Sequence, residues 1–251
     1  MAEFHVVIPA RYASTRLPGK PLRLIGPYLL VEHVYRAALK SGAASVVVAT
    51  DDDRVQSACE ARDIDVCMTA TTHKSGTDRC AEIAALRGWD PATIVVNVQG
   101  DEPLVPPTAI ALVANILADA DMATLATPIR STRDLEDPNR VKVVCSEAGR
   151  ALYFSRAPIP WRRDRDDPAL PVFAGALHHI GLYAYKVSTL QKLTAMPPCE
   201  LETVEALEQL RALVHGMQIQ VGQLDTAPGP GVDTEADLLA VTQLLSAGSN
   251  K

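Results

Sequence analysis

An α/β fold with a mainly parallel sheet, covered by helices on both faces, is predicted by three features of the sequence. Short β-branched runs recur through the first half, segments of helical period separate them, and polar loops rich in Gly, Pro and charge follow them. Strands alternating with helices build βαβ units, and ligands of such sheets bind beyond the carboxyl ends of the strands.

Taken in order, the strand signals are FHVVI (4–8), SVVVAT (45–50), IDVCMT (64–69) and TIVVNV (93–98). In the first intervening helix Leu30, Val34, Ala37 and Ala38 fall at i, i+4, i+7 and i+8, the spacing of one helical face. Further helices are expected from near Asp53, Thr77 and Pro107. From about residue 128 the pattern changes to VKVV, ALYFS and HHIGLYAY, joined by long Pro-rich connections, 162–173 among them. Mixed or antiparallel strands are expected there, forming a smaller subdomain or self-association surface over about 128–190 within a single domain of residues 1–251. One helix is expected over 201–214, with Leu207, Leu210 and Leu213/Val214 on one face. The strand QIQVGQL, the turn PGPGVDT and a helix from Glu235 close the chain.

Composition narrows the function. With 47% hydrophobic and 22% charged residues the 251-residue chain can bury a substantial core. Its formal charge of −6 argues against general nucleic-acid binding, so any basic patch is local. Five scattered cysteines without a C-x-x-C pair fit reduced thiols better than a disulfide framework or zinc site. No run of about 18 apolar residues occurs, and the N-terminus lacks a signal-peptide pattern; a soluble, cytoplasmic protein without membrane partners is expected.

The loop IPARYASTRLPGKP (8–21) places Arg11, Arg16 and Lys20 after the first strand. It is not a Walker A loop, because Ser14 stands at the first glycine position and Pro21 follows the lysine. Three cations among small residues nevertheless suit a polyphosphate, since Arg forks and a Lys point charge reach phosphoryl oxygens. A solvated basic loop is the plainer alternative. In VNVQGDEPLVPP, Asp101 and Glu102 follow a buried strand, where carboxylates commonly hold Mg²⁺ together with substrate phosphates; a helix N-terminus would also attract acids. Asp233 in GVDTEADL offers a third carboxylate, although Thr234 and its neighbours also read as a plain helix start.

THKSGTDR sets His73, Ser75, Gly76, Thr77 and Arg79 at a helix start that suits an anion or the edge of a base. Arg156 ends the ALYFS strand; His179, Gly181, Tyr183 and Tyr185 alternate onto one strand face; Glu208 and Gln209 lie on the 201–214 helix. Asp51 and Asp53 form a D-x-D that could hold a metal and nucleotide sugar, or simply begin a helix.

Read in order, IPARYASTRLPGKPL, ATDD, HKSGTDR, VNVQGDEP, ALYFSR, HHIGLYAY, LEQLR and GVDT resemble the 3-deoxy-manno-octulosonate cytidylyltransferase (CMP-Kdo synthetase) family, from about residue 5 to 240. One departure is IGPYLLVEHV, where Gly26 falls a place early and Leu29 replaces an expected proline. The resemblance implies a Rossmann-like mixed, mostly parallel sheet of the nucleotide-diphospho-sugar transferase type, with a strand-rich dimerising subdomain. It implies a nucleotidyltransferase that joins CTP and 3-deoxy-manno-octulosonate (Kdo) into CMP-Kdo and diphosphate, with Mg²⁺, for lipopolysaccharide biosynthesis.

Carried over by position, Arg11, Arg16 and Lys20 would grip the triphosphate, with Ser75, Gly76, Thr77, Arg79 and Asp101 beside the nucleotide. Asp101 and Asp233 would hold the metal and, with Arg11 and Lys20, form the catalytic set. Gln99, Arg156, His179, Tyr183, Glu208 and Gln209 would surround the sugar. The alternatives are a cytidylyltransferase for another acidic sugar, a metal-dependent glycosyltransferase using Asp51 and Asp53, and a nucleotide sensor without turnover.

Overall fold

The computed structural model describes residues 3–163 and 173–248. Most of the 162–173 connection therefore lies outside the described residues. The chain opens with β1 (Phe4–Pro9), a 3₁₀ turn at Lys20–Leu22 and a hairpin of β2 (Leu24–Ile25) and β3 (Tyr28–Leu29). Then come α1 (Leu30–Leu39), β4 (Ser45–Thr50), α2 (Asp53–Glu60), β5 (Val66–Met68), α3 (Gly76–Leu86), β6 (Ile94–Asn97) and α4 (Pro107–Asn115). The second half runs β7 (Met122–Pro128), α5 (Thr132–Glu136), β8 (Lys142–Cys145), β9 (Ala151–Ser155) and β10 (Leu177–Lys186). It ends with α6 (Val187–Ala195), α7 (Glu200–Glu205), α8 (Gln209–Val214), β11 (Ile219–Gln223) and α9 (Glu235–Gly248).

The main sheet has the order β11-β7-β10-β6-β1-β4-β5. β1 pairs in parallel with both β4 and β6, and β4 with β5, so the chain winds outward from β1 and then returns to its other side. That reversal between β1 and β6 opens a crevice at their carboxyl ends, where doubly wound sheets bind ligands. β10 is the exception to parallel order: it lies antiparallel between β6 and β7. β8 joins β10 and carries β9, extending the sheet with antiparallel strands as the 128–190 pattern predicts.

Alternation along the strands divides the core. Val6, Ile8 and Val96 face α1 and α4 through Val31, Val34 and Ile110. Val7, Val47 and Val95 face the other side, against Ile83, Leu190, Leu193 and Leu210. The hairpin turn carries Gly26 at φ 59, in the left-handed region that glycine tolerates, so the IGPYLL departure is absorbed by a two-stranded hairpin ahead of α1. The five cysteines are free thiols, and no helix among the described residues is long and apolar enough to cross a membrane.

Two expectations need correction. The helix expected over 201–214 is broken into α7 and α8, because Ala206 sits at φ 50, ψ 51 and the chain turns there. The face expected of His179, Gly181, Tyr183 and Tyr185 is interrupted: the register of β10 on β7 shifts between Ile180 and Tyr183, leaving Gly181 exposed. Thr124 lies opposite Tyr183 where unbroken pairing would place Gly181. Two residues are thus inserted, which preserves the alternation, so His179, Tyr183 and Tyr185 still pack on one face.

Candidate active site

The loop after β1 is shaped to bring its cations back to the sheet. Gly19 adopts φ 66, its N–H donates to the Tyr12 carbonyl at 3.3 Å, and Lys20 opens the 3₁₀ turn with Pro21 as its second residue. Arg11 Nη2 donates to the His73 carbonyl at 2.6 Å, tying this loop to the segment before α3. The result is a cleft of about 360 Å³, lined by Arg11, Arg16, Lys20, Gly76, Asp101 and Asp233 among others. Gly100 also lines it; a Cβ there would stand 2.7 Å from the Pro9 carbonyl oxygen, so only glycine lets the loops after β1 and β6 touch.

Asp233 arrives from far along the chain because the PGPG turn packs flat on the QGDEP loop. The Val232 N–H donates to the Asp101 carbonyl at 2.8 Å, and a Cβ on Gly231 would meet Glu102 Oε1 at 2.9 Å. Thr234 and Asp237 cap α9 reciprocally: Asp237 N–H donates to Thr234 Oγ1 at 3.2 Å and Thr234 N–H to Asp237 Oδ2 at 2.8 Å. Val232, Leu238 and Val241 then bury against Leu17, Ile25 and Leu30, fixing α9 to the basic loop.

The outcome is a compact charge cluster. Lys20 Nζ lies 2.6 Å from Asp101 Oδ2 and 3.1 Å from Asp233 Oδ1, while Arg16 Nη2 lies 3.1 Å from Asp233 Oδ2. Burial alone would lower the Lys20 ammonium, but Asp101 and Asp233 outweigh it and the net shift is upward. Burial, with the charges of Asp101 and Asp233, pushes the neighbouring Glu102 carboxyl up to about 7.

A second, smaller cavity of about 60 Å³ adjoins the cleft, sharing Gly76 and Gln99 with it. Its polar lining includes Thr77, Asn97, Tyr183, Glu208 and Gln209. Glu208 and Gln209 reach it because of the break at Ala206. The Glu205 carboxylate accepts from Ser155 Oγ at 2.6 Å and from the Arg156 N–H at 2.9 Å, which anchors the end of α7 to β9. Arg156 completes the knot: Nε donates to the Glu205 carbonyl at 2.7 Å, Nη1 to Pro138 at 3.0 Å and Nη2 to Ala206 at 3.3 Å. Lys142, fully buried, donates from Nζ to the Arg156 carbonyl at 2.6 Å. Beyond this corner Glu208 turns inward, where Ser75 Oγ donates to its Oε1 at 3.2 Å. Burial raises the Glu208 carboxyl.

The sequence-derived residues thus separate into groups. Arg11, Arg16, Lys20, Asp101 and Asp233 converge on the cleft; Thr77, Tyr183, Glu208 and Gln209 line the smaller cavity; Gly76 and Gln99 line both. His179 stands behind Tyr183, with ring centroids 5.4 Å apart, and its Nε2 lies 3.1 Å from Thr124 Oγ1. Burial drives its imidazole down to about 3, so it is a neutral buried ring. Ser75 caps α3, accepting from Asp78 N–H at 3.2 Å.

Arg79 corrects its expected place beside the nucleotide. It is fully buried, donating to Thr69 Oγ1 and, from Nη2 at 2.6 Å, to Asp51 Oδ2. The same pair corrects the D-x-D alternative, since Asp51 is committed to Arg79 and Asp53 begins α2. Asn97 and Tyr185 are cavity residues that the sequence reading left unassigned. The signal for Asn97 was present: an amide ends an otherwise apolar strand at its carboxyl end.

Comparison with known proteins identifies the family. Residues 5–219 match the sequence profile of a family described as cytidylyltransferase. The chain belongs to that cytidylyltransferase family. Among its relatives, a 3-deoxy-manno-octulosonate cytidylyltransferase of Halorhodospira halophila is 52% identical over 251 residues, covering 97% of each chain. One of Cellvibrio japonicus is 50% identical, covering 98% of this chain and 99% of the relative. A solved structure of CMP:2-keto-3-deoxy-manno-octonic acid synthetase complexed with CTP superposes with a TM-score of 0.90 at 40% identity, covering 98% of this chain and 100% of that one.

Proposed function

We propose that this cytidylyltransferase activates Kdo, converting CTP and Kdo into CMP-Kdo and diphosphate for lipopolysaccharide biosynthesis. The observation that carries the reading is the juxtaposition of two sites. A cleft with Arg11, Arg16 and Lys20 facing Asp101 and Asp233 opens, through Gly76 and Gln99, into a polar cavity with Tyr183, Glu208 and Gln209. A triphosphate suits the first and a polyhydroxylated sugar the second, and their shared wall brings the reacting ends together.

The anomeric hydroxyl oxygen of the sugar attacks the α-phosphorus of CTP in line, releasing its proton to solvent, and the bond to the bridging oxygen breaks as diphosphate leaves. Such a transfer depends on positioning and neutralisation more than on covalent chemistry from the protein. Arg11, Arg16 and Lys20 offset charge on the α-phosphoryl and the leaving group. Gln99, Tyr183, Glu208 and Gln209 surround the sugar; His179 sets Tyr183, and Arg156 sets the corner carrying Glu208 and Gln209.

Asp101 and Asp233 fit Mg²⁺. Both carboxylates already turn toward one point, where the Lys20 ammonium stands as a cation within 3.1 Å of each. Mg²⁺ favours sites of one or two carboxylates completed by substrate phosphates. Bound there, it would neutralise phosphate charge and make the attacking hydroxyl more acidic.

We further propose a cytoplasmic homodimer formed through the 128–190 extension, where β9 pairs with β8 and exposes Leu152. Sedimentation analysis tests it; a monomer at micromolar concentration contradicts it.

Diphosphate release tests the activity, with each nucleoside triphosphate supplied with and without Kdo and Mg²⁺. The expected result is release with CTP, Kdo and Mg²⁺ together. Equal release with another acidic sugar would favour that sugar instead, and release independent of any sugar would contradict the reading.

A further inference from the structure

We propose that Asn97 is a specificity-determining residue that hydrogen-bonds a neutral hydroxyl of the sugar at the floor of the smaller cavity. The inference rests on the Kdo reading above and assigns one part of its recognition.

Asn97 ends β6, is only 2% exposed, and lies opposite Tyr183 in the antiparallel pairing with β10. The face it shares with Val95 is otherwise core, so a branched apolar residue would be the ordinary occupant. Its Oδ1 is nevertheless buried without a hydrogen-bond partner. So are Tyr183 OH and Gln209 Nε2, and all three residues line this one cavity. The Thr124 hydroxyl directs its proton to the Ile180 and Leu182 carbonyls at 3.0 and 2.9 Å, so it can do no more than accept from Tyr183, and the acceptor capacity of the phenol oxygen stays open for a ligand. Buried polar atoms are rarely left unpaired, and a cluster around a cavity marks where a ligand completes them.

The chemistry of the three atoms identifies the ligand group. An amide oxygen only accepts, an amide nitrogen only donates, and a phenol does either. A hydroxyl, being both donor and acceptor, satisfies all three. A carboxylate accepts only and would leave Asn97 Oδ1 without a proton to receive. The apolar floor from Met122, Tyr185 and Leu193 likewise disfavours a charged group. The deep end of the cavity therefore reads a neutral hydroxyl, and Gly76, which lines both cavities, leaves the Asn97 side open toward the cleft.

The test is diphosphate release by the full-length enzyme with CTP and a panel of Kdo analogues, each lacking one non-anomeric hydroxyl. Sites built to bond a hydroxyl strongly reject analogues without it. Wild type is expected to lose about 100-fold or more in kcat/KM with one analogue. Asn97→Leu is expected to lose about as much with Kdo itself and to treat that analogue within about threefold of Kdo, with KM for CTP unchanged. Asn97→Ala, assayed beside it with thermal unfolding of both, separates recognition from folding and should show the same collapse. A variant that keeps the wild-type analogue profile, or loses activity uniformly across the panel, overturns the assignment. Absence of wild-type turnover with CTP and Kdo would instead sink the functional reading on which it rests.

Discussion

Replacing Arg79 by Met should destabilise the protein severely while sparing nucleotide recognition once the lost charge is balanced. The guanidinium is fully buried and bonded to Thr69 and Asp51, whose carboxylate is itself only 19% exposed. Removing the cation leaves that carboxylate buried and uncompensated, at a cost of about 3–5 kcal/mol. For 251 residues, an unfolding entropy of about 2.1 cal/mol/K per residue gives about 0.5 kcal/mol/K, so Tm should fall by about 6–10 °C. Thr69 adds little to the loss, since its hydroxyl also donates to the Thr50 carbonyl at 3.0 Å. Combining Arg79→Met with Asp51→Leu removes both charges and should recover most of the stability, as apolar replacement of buried pairs often does. Thermal unfolding of the single and double variants, with KM for CTP of the double, is the assay. A single variant costing under about 1 kcal/mol would refute the burial argument. A double variant that is stable yet has lost CTP affinity would return Arg79 to the nucleotide site.

Three other outcomes follow from the geometry. Gly100→Ala, whose Cβ would stand 2.7 Å from the Pro9 carbonyl, should separate Arg11 from Asp101 and lower kcat/KM about 100-fold, whereas near-normal kinetics would contradict the close approach. Glu205→Ala should raise KM for Kdo more than KM for CTP, because Ser155, Arg156 and the corner before Glu208 lose their anchor; an equal rise in both would contradict that role. His179 is held neutral, with its pKa depressed to about 3, so its contribution to stability is present above about 6.5 and is lost as pH falls toward 3. By pH 4.5 the loss is about 2–3 kcal/mol, and denaturant midpoints at pH 7 and 4.5 should show a shallower pH dependence in His179→Gln than in wild type. Identical slopes would refute the buried neutral ring.

Much of this organisation was legible in the sequence because it rests on local pattern. The β-branched runs and intervening helical periods mark β1, β4, β5 and β6, and strand-end position alone brings Arg11, Lys20 and Asp101 to the crevice. What stayed hidden depends on contacts distant in sequence. Leu207 and Leu210 continue the period of an unbroken helix; the break at Ala206 comes from Glu205 and Arg156 gripping each other about 50 residues apart. Arg79 reads as a nucleotide-binding cation at a helix start until Asp51 is found beside it, 2.6 Å away. Asn97 stands out in sequence only as an amide ending an apolar strand, and its role shows once the buried Tyr183 and Gln209 atoms gather around the same cavity. Antiparallel strands are expected over 128–190, but the place of β10 between β6 and β7 is a property of pairing, which a single run of residues does not encode.

The central claim is that Asp101 and Asp233, beside Lys20, form the metal-dependent half of a triphosphate site. Mn²⁺ binding, followed by electron paramagnetic resonance in the presence of CTP, tests it directly in wild type, Asp101→Asn and Asp233→Asn, with thermal unfolding as the control for folding. The account predicts CTP-dependent Mn²⁺ binding in wild type, its loss by at least about tenfold in both variants, and a parallel fall in kcat of about 100-fold or more. Folded variants that bind Mn²⁺ as wild type does and release diphosphate at the wild-type rate would contradict it.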